Sequence, residues 1–130
     1  MSARERSYSA PTINVETKPF WAATREGRLL LGKCRACGEP HFYPRSICPH
    51  CGKAEVDWVA ASGRGSIYSY SVMRRAEAPY AIAYVTLEEG VTMLTNLVDC
   101  DFDRLAVGQA VTLSWREAGP DASLPVFRPD

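Results

Sequence analysis

Histidine is scarce in this 130-residue chain, which holds only His41 and His50. Both fall in one cysteine-rich stretch, so the rest of the chain has no side chain that ordinarily titrates near neutral pH and no obvious general base. Net charge is also absent, with 15 Lys and Arg against 15 Asp and Glu. A domain whose main work is gripping a phosphate backbone usually carries a surplus of positive charge, so that class is disfavoured. No run approaches the ~18–20 apolar residues of a membrane span, the best being short stretches such as Ala78 to Leu87. The opening Met1-Ser-Ala-Arg-Glu-Arg has charges with no apolar stretch behind them, so no secretory signal is expected. This reading places the chain in the reducing cytoplasm, where paired cysteines serve as metal ligands more often than as disulfides.

What charge there is divides unevenly. Residues 1–65 hold ten basic and six acidic side chains, and residues 66–130 hold five and nine. Two modules with different work are expected. Residues 1–17 mix Ser, Thr, Arg and Pro without periodicity and read as a flexible arm. Thr17 is placed to cap a short helix that carries Pro19 in its first turn and stops at Gly27. Its adjacent aromatics, Phe20 and Trp21, are hard to bury in so small a unit, so they are expected either to face a partner or to pack on the chain's own second module. Residues 28–58 hold few aliphatic side chains and cannot form a core unaided.

From Gly63 the pattern changes to period two. Strands are predicted over 66–74, 80–88, 91–98 and 111–116, with a fifth over 124–127 and a tight hairpin at Glu89-Gly90. In the first, Tyr68, Tyr70 and Val72 are expected on one face. Five short strands without a long helix indicate a mainly β chain ending in a small antiparallel barrel or sandwich. The Leu105-to-Val111 segment, a turn glycine leading into a strand, points to the oligonucleotide/oligosaccharide-binding (OB) type.

Cys34-Arg-Ala-Cys37-Gly38 and Cys48-Pro-His-Cys51-Gly52 are two C-x2-C-G units ten residues apart. Each can aim two sulfurs at one ion ~2.3 Å away. Together they make a closed set of four with no open position, hence a structural zinc rather than a catalytic one; rubredoxin-like iron and thiol redox chemistry are the alternatives. Zinc would supply folding free energy that the sparse aliphatic residues cannot. With four thiolates around one Zn²⁺, Lys33, Arg35 and Lys53 read as compensation for the site. His41 and His50 are surplus as ligands and expected to be exposed or beside the site. Cys100, remote from the others, reads as a structural thiol. Asp99, Asp101 and Asp103 lack the remainder of a calcium loop and read as a turn capping a short helical segment. Gly63-Arg-Gly65 reads as the start of a strand, not a dinucleotide loop. Arg64, Arg74 and Arg75 are candidates for the phosphates of a nucleotide-like cofactor.

Pro19-Phe20-Trp21, Glu26 to Leu31, the two knuckles, Pro44-Arg45, Trp58, Ser62 to Gly65, Tyr68-Ser-Tyr70, Leu94 to Val98, Val107-Gly108 and Leu124 to Arg128 together resemble the DUF35 family. The match runs over residues 18–128. The resemblance implies a short helix and rubredoxin-like zinc ribbon over 18–58 and a five-stranded antiparallel OB-fold barrel over 59–130. It further implies a non-catalytic accessory subunit, assembled as a hetero-oligomer such as a heterotetramer with a thiolase-fold or hotdog hydratase large subunit and helping to hold or channel an acyl-CoA. On that reading Arg64, Arg74 and Arg75 would meet CoA phosphates, and Phe20 and Trp21 would dock on the large subunit. A nucleic-acid module is the alternative for an OB fold with a zinc ribbon. Such a barrel should be basic, and this one carries the acidic half.

Overall fold

The computed structural model describes residues 7–130. The part of the expected arm over residues 1–6 lies outside the described residues. Helix α1 (Lys18–Thr24) is followed by β1 (Leu30–Cys34), β2 (Pro40–His41) and β3 (Val56–Ala60), then by β4 (Arg64–Met73), β5 (Tyr80–Leu87), β6 (Thr92–Leu97), β7 (Ala110–Glu117) and β8 (Ser123–Pro129). The first three strands form an antiparallel sheet in the order β2-β1-β3, and the last five close into a barrel in the order β4-β5-β6-β8-β7.

The barrel is mixed rather than wholly antiparallel. A ring of five strands cannot alternate direction all the way round, so one neighbouring pair must be parallel. That pair is β6 and β8, joined at Leu97 and Phe127 with a further bond from Val98 N–H to the Phe127 carbonyl. The alternation along β4 also differs from the expected one. The register slips between Ile67 and Ser69, and this bulge turns Ile67 into the core while Tyr68 is 67% exposed. An irregularity of one residue reverses the faces of a period-two pattern.

Helix α1 ties the two sheets together. Phe20, Trp21, Ala23 and Thr24 are buried on it, and the first three share one apolar cluster with Leu29, Leu30 and Leu31 of the ribbon and with Ile67, Val85, Met93 and Phe127 of the barrel. Thr24 Oγ1 accepts the Ser123 N–H at 3.0 Å, anchoring the helix to the start of β8. Thr17 does not cap the helix with its side chain. It lies in helical backbone and exchanges hydrogen bonds with Asn14 instead: the Asn14 N–H reaches Thr17 Oγ1, and the Thr17 N–H reaches Asn14 Oδ1. Residues before the helix also meet the ribbon, where Glu16 accepts the Ser46 N–H at 2.6 Å.

Candidate metal centre

Each knuckle is built by the same local moves. The Cys34 carbonyl accepts the Gly38 N–H at 2.9 Å, and the Cys48 carbonyl accepts the Gly52 N–H at 2.9 Å. Gly38 and Gly52 stand at φ 78° and 81°, a left-handed turn that glycine adopts without a Cβ penalty. The first knuckle leaves the end of β1, while the second sits in the long connection between β2 and β3. Their four sulfurs all lie within 4.8 Å of one another.

The spacing suits one zinc ion. Sulfurs at tetrahedral corners about 2.3 Å from a common centre stand about 3.8 Å apart. Cys34 and Cys51 sulfurs are 3.6 Å apart, and those of Cys37 and Cys48 are 3.7 Å apart. Cys34 and Cys48 are buried while Cys37 and Cys51 face outward, so the cluster is half sheltered. Protons are held unevenly across it. Burial opposes ionisation of Cys48, yet backbone N–H groups of Cys51 and His50 bring its pKa down to about 6. Cys37 accepts the Glu39 N–H but is pushed up to about 12 by burial and the neighbouring sulfurs. Metal capture must displace all the remaining thiol protons, so acid opposes it.

His50 is exposed, but His41 is buried at 4% exposure, and neither ring nitrogen finds a hydrogen-bond partner among the described residues. It lies over Gly32, where an added Cβ would come within 2.4 Å of Nε2. Burial, then the nearby His50 and Arg45 charges, hold its pKa below the usual imidazole value. The Arg35 guanidinium, expected to compensate the thiolates, pairs with Asp57.

The aromatic pair expected at a partner surface is internal. Phe20 is fully buried and Trp21 is 6% exposed. They are covered because Tyr43 closes over them, its ring 5.4 Å from that of Phe20, with its hydroxyl accepting the Trp21 Nε1–H at 2.8 Å. The alternative of packing on the chain's own second module is the one realised.

The three arginines are not gathered. Arg64 opens β4 and Arg74-Arg75 follow its end, so a ten-residue strand, roughly 30 Å of extended chain, separates them. Arg64 pairs with Glu88 and Arg74 with Asp103. Asp101 caps the short 3-10 turn Phe102–Arg104 by accepting the Asp103 N–H at 2.9 Å, the role expected of that acidic run. Cys100 is half-buried, and burial followed by Asp99 and Asp101 raises its pKa.

Known proteins match this arrangement over most of its length. Residues 21–57 match the ChsH2 rubredoxin-like zinc ribbon domain, and residues 58–116 the ChsH2 C-terminal OB-fold domain. A probable enoyl-CoA hydratase alpha subunit of Thermomonospora curvata is 40% identical over 124 residues, covering 92% of this chain and 39% of that protein. The chain therefore spans about two fifths of that relative's length. A DUF35 domain-containing scaffold protein of Methanothermobacter thermautotrophicus is 37% identical over 111 residues, covering 79% of this chain and 84% of that protein. A chain in the solved structure described as the Ltp2-ChsH2(DUF35) aldolase is 40% identical with a TM-score of 0.80, covering 92% of this chain and 98% of that one.

Proposed function

This chain belongs to the DUF35 family, and from that premise we propose that it is a non-catalytic, zinc-stabilised accessory subunit of an acyl-CoA-processing enzyme, whose catalytic groups come from a separate large subunit. The observation that carries this reading is the near-complete match to the DUF35 chain of an aldolase complex. The relative named as a hydratase alpha subunit supports the same class of work. The family resemblance extends the candidate partners to thiolase-fold thiolases, acyltransferases and retro-aldolases and to hotdog hydratases, in a hetero-oligomer such as a heterotetramer.

Within that assembly the ribbon over 18–58 acts as a rigid base. Cys34, Cys37, Cys48 and Cys51 would hold one zinc, whose role is to cross-link two turns that the surrounding side chains do not hold alone. The barrel over 59–130 helps to bind or channel the acyl-CoA shared with the large subunit. CoA phosphates would be met at one end of β4 by Arg74 and Arg75, with Arg74 exchanging Asp103 for phosphate oxygens, or at the other end by Arg64, exchanging Glu88.

The test is reconstitution with the Ltp2 component of the related aldolase. The zinc-loaded chain is expected to co-elute with it as one hetero-oligomer and to turn over no acyl-CoA by itself. Turnover by the chain alone, or failure to co-elute at micromolar concentration with Ltp2, with a thiolase-fold thiolase and with a hotdog hydratase subunit alike, would overturn the proposal.

A further inference from the structure

The barrel carries a surface without charge. Strands β5 and β6 contain eight and six residues, and none is Asp, Glu, Lys or Arg. Ile82, Tyr84 and Leu94 point outward at 37%, 48% and 54% exposure. The register sets Tyr84 opposite Leu94 and Ile82 opposite Asn96, so these side chains form one patch. Acidic residues lie beyond the strand ends, at Glu88-Glu89 and from Asp99 onward. In a chain that is 23% charged, a two-strand face with aromatic and aliphatic residues and no charge has the composition of an interface centre.

This patch runs into a groove of about 330 Å³ between barrel and ribbon, with Trp21, Tyr43, Ile82, Leu94, Asn96 and Pro125 among its walls. The walls are held in place before anything binds. Trp21 donates to Tyr43, the Thr95 hydroxyl donates to the Pro125 carbonyl at 3.0 Å, and Asn96 Nδ2 donates to the Ala81 carbonyl at 3.4 Å. With those donors engaged inward, the groove offers mainly apolar surface.

We infer that this groove and the adjoining β5–β6 face seat the catalytic partner protein, which lays a large uncharged side chain between Tyr43 and Leu94. The inference rests on the accessory-subunit reading above and names its contact surface. Three considerations select this occupant. A face without charge offers nothing to the phosphates of nucleic acid, CoA or anionic lipid, and its complement is another uncharged apolar surface. The groove is at the small end of ligand pockets, about 300–1,000 Å³, and opens onto the exposed strand face, so a free acyl chain would stay largely in water. Strand spacings give the two-strand face an area of roughly 200–300 Å². Two copies placed face to face would then bury about 600 Å² at most, well below the ~1,200–2,000 Å² of a stable interface, whereas a larger partner can extend onto neighbouring surface.

The experiment measures binding of the full zinc-loaded chain to the Ltp2 component of the related aldolase, with Leu94→Lys, Tyr84→Lys and a control, Val107→Lys. Val107 is 67% exposed and lies off this face, in the turn before β7. Zinc content and thermal midpoint confirm that each variant is folded. The expected result is at least ~30-fold weaker binding for the two face variants, the loss typical of a central anchor, and less than ~3-fold change for the control. Folded face variants that bind like the parent chain would overturn the inference while leaving the accessory-subunit reading intact. Failure of the parent chain itself to bind Ltp2, a thiolase-fold thiolase and a hotdog hydratase subunit alike would overturn both. Sedimentation showing a dimer that Leu94→Lys dissolves would reassign the face to a second copy, and decanoyl-CoA binding lost in Leu94→Lys would reassign it to an acyl chain; either overturns the inference.

Discussion

The ribbon sheet has two long neighbours, Leu30–Cys34 and Val56–Ala60, and a two-residue third strand, and its outer strand is mostly exposed or half-buried. The barrel has five strands of six to ten residues whose inner positions are filled by Ile67, Val85, Leu87, Met93, Val111 and Phe127, each at most 2% exposed. One region therefore depends on four sulfurs converging on a point, and the other on apolar area removed from water. Helix α1 joins them by adding Phe20 and Trp21 to the cluster shared by both. A point cross-link is lost all at once when one ligand is removed, whereas a distributed core gives way by increments set by the volume deleted.

The largest effect is therefore expected at the sulfurs. Cys48→Ser should take zinc from one per chain to none or to weak, chelator-labile binding, because structural zinc sites contribute on the order of 10 kcal/mol. Metal analysis after gel filtration checks the loss. Hydrogen exchange checks the comparison itself: ribbon amides around β1 and β3 should lose protection while those of β5 and β6 keep it. Equal loss in both would show that the barrel also depends on the metal.

Next in size is Phe127→Ala, at a fully buried position beside the parallel junction. Its expected cost is about 3–5 kcal/mol in urea unfolding. Zinc stoichiometry should stay at one, and a variant that also lost its metal would make the ribbon subordinate to the barrel. Gly32→Ala should cost about 1–3 kcal/mol by forcing a Cβ against the His41 ring, with denaturation midpoints as the measure. Because the clash is with a side chain and not with backbone, Gly32→Ala combined with His41→Ala should recover part of that loss.

The smallest effect is a slope with pH. His41 has a folded-state pKa held below its unfolded value of about 6.5, so the unfolded chain binds the extra proton first. The stability gained from keeping His41 neutral is complete above about 6.5 and falls as pH drops from there through the lower folded-state value. His41→Phe should flatten the stability profile below about pH 6.5 in the zinc-loaded protein. A profile unchanged by that substitution would assign the whole slope to thiol protonation at the metal.

Local residue patterns carried much of this architecture. The C-x2-C-G pairs were legible as one ligand set because two-residue spacing and a following glycine impose the turn wherever it sits in the fold. The barrel strands were legible from period two, and the Asp101 cap from a short polar side chain ahead of a 3-10 turn. The bulge between Ile67 and Ser69 was not, because the extra residue is specified by pairing with β5 and not by composition. Phe20 and Trp21 were ambiguous for a related reason: a short helix with adjacent aromatics does not disclose that Tyr43, more than twenty residues later, folds over them.

The sequence by itself determined the four-sulfur ligand set, the order of ribbon before barrel and the family, since each rests on side-chain chemistry at short spacing or on matching motifs in order. Tertiary structure decided what lies beside what. It buried His41 over Gly32 and set Ile82, Tyr84 and Leu94 into one uncharged face next to the Tyr43 groove. The physical reason is that strand pairing and closure of an odd-numbered barrel are long-range conditions. They are satisfied only when all five strands are in register, and no local segment specifies that register alone.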